Sequence, residues 1–361
     1  MRRIPLFLLV AILLLNVRPA TAQKSDDASS QSPAALRAAF HKLIDRPRIA
    51  LDPQISSSKT ADGLIEERVT IATERKANGE IERVPMLIVR PEKSNGRMPA
   101  VIVQHGTGGN KESQRSWLVD LAKQGILGLA IDARYHGDRS GGAKGADAYN
   151  AAIARAWRTK PGETQEHPFY FDTCWDLWRV LDYLAERPDV DPQRLGMLGF
   201  SMGGIQTWLA GSVDERVQVA VPAIAVQSFR WSLENEKWQG RAKSIGAAHN
   251  AAAQDLGEPA VNGRVCRELW NKVIPGMLDQ FDCPRMLPLF AGRPLLIVSG
   301  ELDANCPLGG AKIAIAAAEN AYREAGKSDL LKVDIAMGVG HSVTAEQKKM
   351  ALEWLTKWLS Q

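Results

Sequence analysis

The sequence has 361 residues, of which 45% are apolar and 24% charged, a composition that is typical of a globular protein and excludes a disordered, collagen-like or coiled-coil chain. Of the net charge of +4, three charges belong to Arg2, Arg3 and Arg18, which leaves +1 for the rest of the chain. This nearly neutral body argues against a nucleic-acid partner.

The first 22 residues have the pattern of a secretory signal peptide. Two arginines precede an apolar run over residues 4–17, and Ala20-Thr21-Ala22 matches the small-x-small site of a signal peptidase. The run is shorter than the roughly 20 residues of a bilayer span, which disfavours an uncleaved anchor. We therefore expect removal of residues 1–22, a flexible leader over residues 23–32, and export to the periplasm or the medium without stable membrane insertion.

Eight short runs rich in Ile, Val and Leu predict the strands of a sheet. The first two are separated by the turn-forming residues Ala77-Asn78-Gly79 and therefore predict a hairpin. The other six fit strands that are buried on both faces of a mostly parallel sheet. The eight runs cover residues 67–73, 84–89, 100–104, 126–131, 194–199, 217–222, 294–299 and 331–337.

Helical stretches lie between these runs. Apolar residues recur at three- and four-residue spacing from Phe171, and Thr344 with Gln347 forms a capping box before the last helix. The alternation predicts one α/β domain over residues 33–361 with an eight-stranded, doubly wound sheet. Insertions at residues 138–168 and 223–290 leave the carboxyl ends of parallel strands, so we expect them to form a cap over the ligand site.

The segment Gly199-Phe200-Ser201-Met202-Gly203 directly follows a predicted strand. A serine hydroxyl becomes a good nucleophile when a sharp strand-to-helix turn exposes it and a base hydrogen-bonds to it. Glycines two positions to either side allow that turn without side-chain collision. The pattern predicts Ser201 as a nucleophile, and the alternative is a glycine-rich turn without chemistry.

The acid and the base that activate such a serine are expected after later strands. Asp303 follows the strand over residues 294–299 and is favoured as the acid over Glu301, which lies in the same turn. His341 follows the last strand through two glycines, and order along the chain selects it from six histidines. We predict that its Nδ1 donates to Asp303 and that its Nε2 accepts the proton of Ser201.

A second glycine-rich turn, His105-Gly106-Thr107-Gly108-Gly109, follows the strand over residues 100–104. Acyl transfer places negative charge on the former carbonyl oxygen, and two backbone N–H donors stabilise it. We predict the N–H groups of Thr107 and Met202 as these donors and interpret His105 as a brace of the turn. The segment lacks the G-K-[ST] ending of a phosphate-binding loop.

Four further residues are candidates for contact with substrate. Arg134 and Tyr135 follow the strand over residues 126–131, where a charged residue more often braces its loop by hydrogen bonds. Trp231 and Trp238 lie in the larger insertion, where they fit a cap core as well as a substrate wall.

The four cysteines predict neither a disulfide scaffold nor a zinc site, because the chain is long and no pair has C-x2-C spacing. Buried thiols are expected, or one bridge, for which Cys266 and Cys283 are the candidates. The four are Cys174, Cys266, Cys283 and Cys306. No metal and no cofactor are predicted.

The chain contains the serine turn, Asp303 after a later strand, His341 after the last strand, and the H-G-x-G-G turn. With these motifs, the chain from about residue 67 to its end resembles the α/β-hydrolase superfamily. The phrases DARYHG at 132–137, RPDVDPQRLG at 187–196 and GFSMGG at 199–204 are similar to those of the clan of dienelactone hydrolases, acetyl xylan esterases and prolyl oligopeptidase catalytic domains. The resemblance implies the α/β-hydrolase fold and a cofactor-free serine hydrolase with Ser201, Asp303 and His341 as its triad.

The chain departs from two members of that clan. Dienelactone hydrolases have a cysteine at the position of Ser201, which counts against that activity. Prolyl oligopeptidases carry a large N-terminal propeller, which residues 23–64 are too short to form.

The sequence therefore predicts an exported enzyme that hydrolyses carboxylic esters of small molecules or carbohydrates through an acyl-enzyme. A serine peptidase of the prolyl oligopeptidase type is one alternative, because one fold hosts many chemistries. A ligand-binding domain without catalysis is the other. Acyl size and alcohol identity depend on how the two insertions fold.

Overall fold

The computed structural model describes residues 31–360. The predicted signal peptide of residues 1–22 and the leader up to residue 30 lie outside the described residues. Within the described part, no helix has the length and apolar character needed to cross a membrane.

Nine strands form one sheet: β1 (Gln54–Ala61), β2 (Leu64–Arg75), β3 (Ile81–Pro91), β4 (Met98–Gln104), β5 (Leu127–Ile131), β6 (Val190–Phe200), β7 (Val217–Ala223), β8 (Leu295–Gly300) and β9 (Leu331–Ala336). Their spatial order is β1-β2-β3-β5-β4-β6-β7-β8-β9. Pairing is antiparallel from β1 to β5 and parallel from there to β9. The mostly parallel α/β sheet that the sequence predicts is confirmed.

The sheet has nine strands where the sequence predicted eight. The additional strand, β1, reads QISSSKTA and is almost entirely exposed, so no apolar run marks it. It is held by antiparallel pairing with β2. The predicted hairpin is confirmed, since β2 and β3 pair on either side of the turn at residues 77–79.

Helices cover both faces of the sheet. They are α1 (Pro33–Ile44), α2 (Arg115–Lys123), α3 (Asp147–Arg158), α4 (Phe171–Glu186), α5 (Met202–Val213), α6 (Phe229–Glu234), α7 (Gln239–Ser244), α8 (Gly246–Asp255), α9 (Gly263–Val273), α10 (Cys283–Met286), α11 (Leu308–Glu324) and α12 (Ala345–Leu359). One apolar core contains α1, α4 and α5, and a second contains α2 and α12. The predicted capping box is present, because Thr344 Oγ1 accepts the N–H of Gln347 at 3.2 Å.

The two insertions are largely helical. The first contains α3 and the second contains α6 to α10. α3 packs against α8 and α9, and the indole N–H of Trp270 in α9 donates to Nε2 of His249 in α8 at 3.0 Å. Both insertions belong to the same compact unit as the sheet, Ser32–Gln361.

All four cysteines are buried free thiols, so the candidate bridge between Cys266 and Cys283 is not formed. Burial raises the pKa of Cys266 and of Cys306 to about 12. The thiols therefore remain protonated at neutral pH and pack as small apolar groups.

The surroundings of His249, in α8 of the second insertion, predict a stability that depends on pH. Its Nδ1–H donates to the carbonyl of Ile245 and its Nε2 accepts from Trp270, so the neutral ring is the form that fits. Burial lowers the pKa of His249 to about 4, whereas unfolding restores an ordinary value of about 6.5. Between these values the unfolded chain binds the additional proton, so the stability that the neutral ring contributes is lost as the pH falls below about 6.5.

We expect the protonation of His249 in the unfolded chain to lower the free energy of unfolding by about 2 kcal/mol when the pH falls from 7 to 5. His249→Gln should be less stable than the wild type at pH 7, but its stability should fall less toward pH 5. Urea unfolding of both proteins at the two pH values measures the difference. Equal pH dependence in the two proteins would contradict the assignment.

Candidate active site

Ser201 lies at the tip of a sharp turn between β6 and α5. Its backbone has φ 51° and ψ −112°, a region that residues with a Cβ seldom occupy. A Cβ at Gly199 would lie 2.2 Å from the carbonyl oxygen of Gly203, and a Cβ at Gly203 would lie 2.7 Å from that of Gln104. Glycine is therefore required at both positions, and the turn places the serine at the carboxyl edge of the sheet.

His341 joins Ser201 to Asp303. Its Nε2 lies 2.8 Å from the Oγ of Ser201, and its Nδ1 lies 2.7 Å from Oδ2 of Asp303. Asp303 follows β8 and His341 follows β9, and the two loops are in close contact, since a Cβ at Gly300 would lie 2.2 Å from the carbonyl oxygen of Gly340. The three side chains form one hydrogen-bonded line.

Asp303 is held by its own turn. Its side chain is fully buried, and its Oδ1 accepts hydrogen bonds from the backbone N–H groups of Asn305 at 2.8 Å and Cys306 at 3.0 Å. This leaves Oδ2 for the imidazole. Glu301, the competing acid, accepts the N–H of Gly338 at 2.8 Å and anchors the loop that leads to the histidine.

The turn after β4 passes beside the nucleophile. A Cβ at Gly106 would lie 3.6 Å from the Cβ of Ser201. Thr107 is the next residue of this turn, and Met202 is the first residue of α5, so its N–H has no acceptor within the helix. The two predicted oxyanion donors thus belong to the two turns that meet at Ser201.

His105 connects the turn after β4 to the segment after β5. Its Nε2 accepts the N–H of Ala133 at 3.2 Å, and its Nδ1–H donates to the carbonyl of Gly106 at 2.8 Å. Burial lowers the pKa of His105, which favours the neutral ring that these two bonds require. Both ring nitrogens of His105 are therefore used in hydrogen bonds within the fold.

Arg134, a candidate for substrate contact, is also used within the fold. Its guanidinium is buried and forms ion pairs with Asp176 at 2.9 Å and with Glu74 at 2.7 Å. It braces the segment after β5, which is the alternative that the sequence favoured. We do not retain it as a substrate contact.

The other three candidates have contacts away from the triad. The hydroxyl of Tyr135 donates to Glu166 at 2.9 Å. The indole N–H of Trp238 donates to Glu236 at 2.9 Å. The ring of Trp231 packs on the first turn of α11, where a Cβ at Gly309 would lie 2.3 Å from it. These positions fit the structural alternative given for each residue.

A groove of about 360 Å³ is lined by residues that adjoin the site in the chain and that the sequence analysis missed. Phe200 and Val343, which adjoin the serine turn and the histidine loop, line it together with Ile224 and with Trp117 of α2. The rings of Trp117 and Phe200 pack with their centroids 5.1 Å apart. Adjacency to the motifs could have pointed to Phe200 and Val343, but no local signal marks Trp117.

Comparison with known proteins finds similarity to hydrolases and esterases. The sequence profile of the acetyl xylan esterase (AXE1) family matches residues 76–230. YtaP of Bacillus subtilis (strain 168), named as a hydrolase, is 25% identical in an alignment of 291 residues that covers 77% of this chain and 84% of that protein. The acetyl xylan esterase from Paenibacillus sp. R4 is 19% identical with a TM-score of 0.63, covering 89% of this chain and 92% of its own. The glucuronoyl esterase from Solibacter usitatus is 17% identical with a TM-score of 0.62, covering 91% and 93%.

These similarities and the observed fold identify the class of the protein. The chain belongs to the α/β-hydrolase superfamily, and the resemblance drawn from its sequence motifs is confirmed. The matching family profile and the similar proteins support an ester-cleaving hydrolase.

The strained backbone of Ser201 predicts an unusual order of stability for two variants. Glycine occupies a positive φ without a Cβ collision, so we expect Ser201→Gly to have a free energy of unfolding about 1 kcal/mol higher than Ser201→Ala. Urea unfolding of the two variants measures the difference.

The same pair of substitutions at Ser342 is the matched control. Ser342 is exposed and does not have a positive φ. There, Ser342→Gly should be the less stable variant, because glycine gains more conformational freedom on unfolding. An alanine variant at position 201 as stable as the glycine variant would contradict a strained turn.

Proposed function

We propose that the protein is an exported serine hydrolase that cleaves carboxylic esters by way of an acyl-enzyme, with Ser201, His341 and Asp303 as its catalytic triad. The observation that carries this proposal is the hydrogen-bonded line in which His341 lies 2.8 Å from Ser201 and 2.7 Å from Asp303. No cofactor is needed for this chemistry.

In the first half of the reaction, the neutral imidazole acts as a general base. Nδ1–H of His341 donates to Asp303, which leaves Nε2 free to accept the hydroxyl proton of Ser201 as its Oγ attacks the ester carbonyl. The imidazolium that forms lies against a carboxylate whose other oxygen is already held by two backbone N–H groups. Asp303 thus offers a fixed negative charge and does not need to reorient.

The developing oxyanion is stabilised by the backbone N–H groups of Thr107 and Met202, because both turns meet at the nucleophile and backbone donors are preorganised. His341 then returns its proton to the leaving alcohol. Water enters, loses a proton to the same imidazole and attacks the acyl-enzyme, which releases the acid and restores Ser201.

The substrate class that we propose is an ester of a small molecule or of a carbohydrate. The groove lined by Phe200, next to Ser201 in the chain, has about 360 Å³, room for a small acyl or sugar moiety. Two proteins of similar fold are named as acetyl xylan esterase and glucuronoyl esterase, which supports an ester carried on a sugar.

Removal of any triad member should abolish most of the activity. We expect Ser201→Ala to lose labelling by a fluorophosphonate probe and to lower kcat/KM for 4-nitrophenyl acetate by about a thousandfold or more. His341→Ala should show a similar loss, since the residues act as a unit. In-gel fluorescence and absorbance at the nitrophenolate band measure the two effects.

Ser342→Ala is the control for these variants, because it adjoins His341 but is exposed. It should retain labelling and turnover. Equally weak labelling of the wild type and of Ser201→Ala would favour a domain that binds a ligand without catalysis. Turnover of blocked peptide amides with an efficiency comparable to that of esters would favour a peptidase.

Export is the second part of the proposal, and it is supported by the sequence of residues 1–22. We expect the protein recovered from the periplasm or medium of an expressing bacterium to begin at Gln23. Intact-mass spectrometry of the purified protein measures this. Recovery of the full-length chain from the cytosol alone would contradict it.

A further inference from the structure

Arg241, in α7 of the cap, is a buried cation without an acidic partner among the described residues. Its side chain is 1% exposed. Nη2 donates to the carbonyl of Asn305 at 3.1 Å and to Sγ of Cys306 at 3.4 Å, whereas Nε and Nη1 have no hydrogen-bond partner. Arg134, which is also buried, forms ion pairs with two carboxylates.

A buried guanidinium with unpaired N–H groups is energetically costly, because it gives up hydration without a carboxylate bonded to it. Buried polar groups in native proteins are nearly always paired, and the exceptions call for a functional explanation. A ligand that brings an anion against the guanidinium would supply the missing partner.

Two tyrosines near Arg241 have the same property. The hydroxyls of Tyr149 and Tyr170 are buried, and neither has a hydrogen bond of ordinary geometry. Both side chains interact electrostatically with Arg241, and the hydroxyl of Tyr170 lies close to its guanidinium. Burial raises the pKa of each phenol above its ordinary value, so both remain protonated and able to donate. The ring of Phe229 packs against both Tyr170 and the guanidinium. We call Tyr149, Tyr170 and Arg241 the arginine cluster.

A chain of contacts connects the arginine cluster to the turn that holds Asp303 and to the turn after β4. On one side, Arg241 contacts Cys306, whose N–H is bonded to the carboxylate of Asp303. On the other side, the ring of Tyr149 lies 4.6 Å from that of His136, which lies 5.1 Å from His105 at the start of the oxyanion turn. Tyr149 in α3 and Arg241 in α7 lie in the two insertions, and the cluster adjoins the active site.

The donors of the cluster match one class of ligand. A guanidinium with free N–H groups and two phenolic hydroxyls can all donate, and a carboxylate accepts up to four such bonds. Aromatic rings around the cluster exclude water, which strengthens each charged bond. A neutral acyl chain at this place would leave the donors unpaired.

We propose that the arginine cluster is a carboxylate-binding subsite and that the preferred substrates are esters bearing a second, free carboxylate. The inference rests on the proposed function, since it assigns specificity to the same site. The carboxylate is carried either by the acyl group or by the alcohol.

Two pairs of esters of matched length distinguish these sources. Monomethyl adipate against methyl hexanoate tests a carboxylate on the acyl side, and 6-acetoxyhexanoate against hexyl acetate tests one on the alcohol side. Titration of the released acid gives kcat/KM for each. We expect the anionic ester to be preferred in one of the two pairs. Preference for the neutral ester in both pairs would overturn the inference.

Variants of the cluster test whether its hydrogen-bond donors cause the preference for the anionic ester. In Arg241→Gln the ratio of kcat/KM for the anionic ester to that for the neutral ester should fall about tenfold to a hundredfold. Arg241→Lys should restore part of the ratio, and Tyr170→Phe should lower it less. Tyr322→Phe is the control, because its buried hydroxyl donates to Phe290 and Arg293 away from the cluster, and it should leave the ratio unchanged. An equal loss on both esters in Arg241→Gln would indicate a structural role only.

A binding measurement separates this inference from the proposed hydrolysis. Calorimetric titration of Ser201→Ala with monomethyl adipate and with 6-acetoxyhexanoate should detect binding of the preferred ester, and Ser201→Ala combined with Arg241→Gln should weaken it about tenfold or more. Binding of this kind without turnover by the wild type would refute the hydrolase and retain the subsite. Turnover of neutral esters with no binding that depends on Arg241 would refute the subsite alone.

Discussion

The backbone of Ser201 is the constraint on which the site depends. A φ of 51° with a ψ of −112° costs a residue with a Cβ about 1–3 kcal/mol, and it persists only where the surroundings determine it. Here the N–H of Ser201 donates to the carbonyl of Ala223 in β7 at 3.0 Å, while Gly203 lies against Gln104 in β4. The strands on both sides of β6 therefore hold the turn. The hydroxyl is already in place when a substrate arrives.

Strand order decides which loops reach that hydroxyl. The strands β4, β6, β8 and β9 are all parallel members of one sheet, so the segments that follow them leave from the same edge. His341 comes from the loop after the edge strand, and its loop reaches the nucleophile by crossing the end of β8. The close approach of Gly300 and Gly340 marks that crossing. Glycine at position 300 removes the side chain that would collide with the histidine loop.

The sequence predicted most of the sheet and the three side chains of the hydrogen-bonded line, because apolar runs and glycine-flanked turns are local patterns. It missed β1, since an exposed polar edge strand carries no such pattern. It could not decide the role of Arg134, whose partners Asp176 and Glu74 are 42 and 60 residues distant. Nor could it single out Arg241, because an arginine becomes informative only when folding has buried it without an acid.

Arg241 also connects the proposed carboxylate subsite with the proposed catalytic triad. Cys306 bridges the two functions, since its N–H donates to Asp303 while its Sγ accepts from Arg241. The carboxylate of Asp303 lies close enough to attract the guanidinium, so the two positive charges, that of Arg241 and that of the imidazolium formed at His341, share one counter-ion. Like charges repel, and burial strengthens the repulsion. A carboxylate bound at Arg241 would neutralise one of them and leave Asp303 to stabilise the imidazolium.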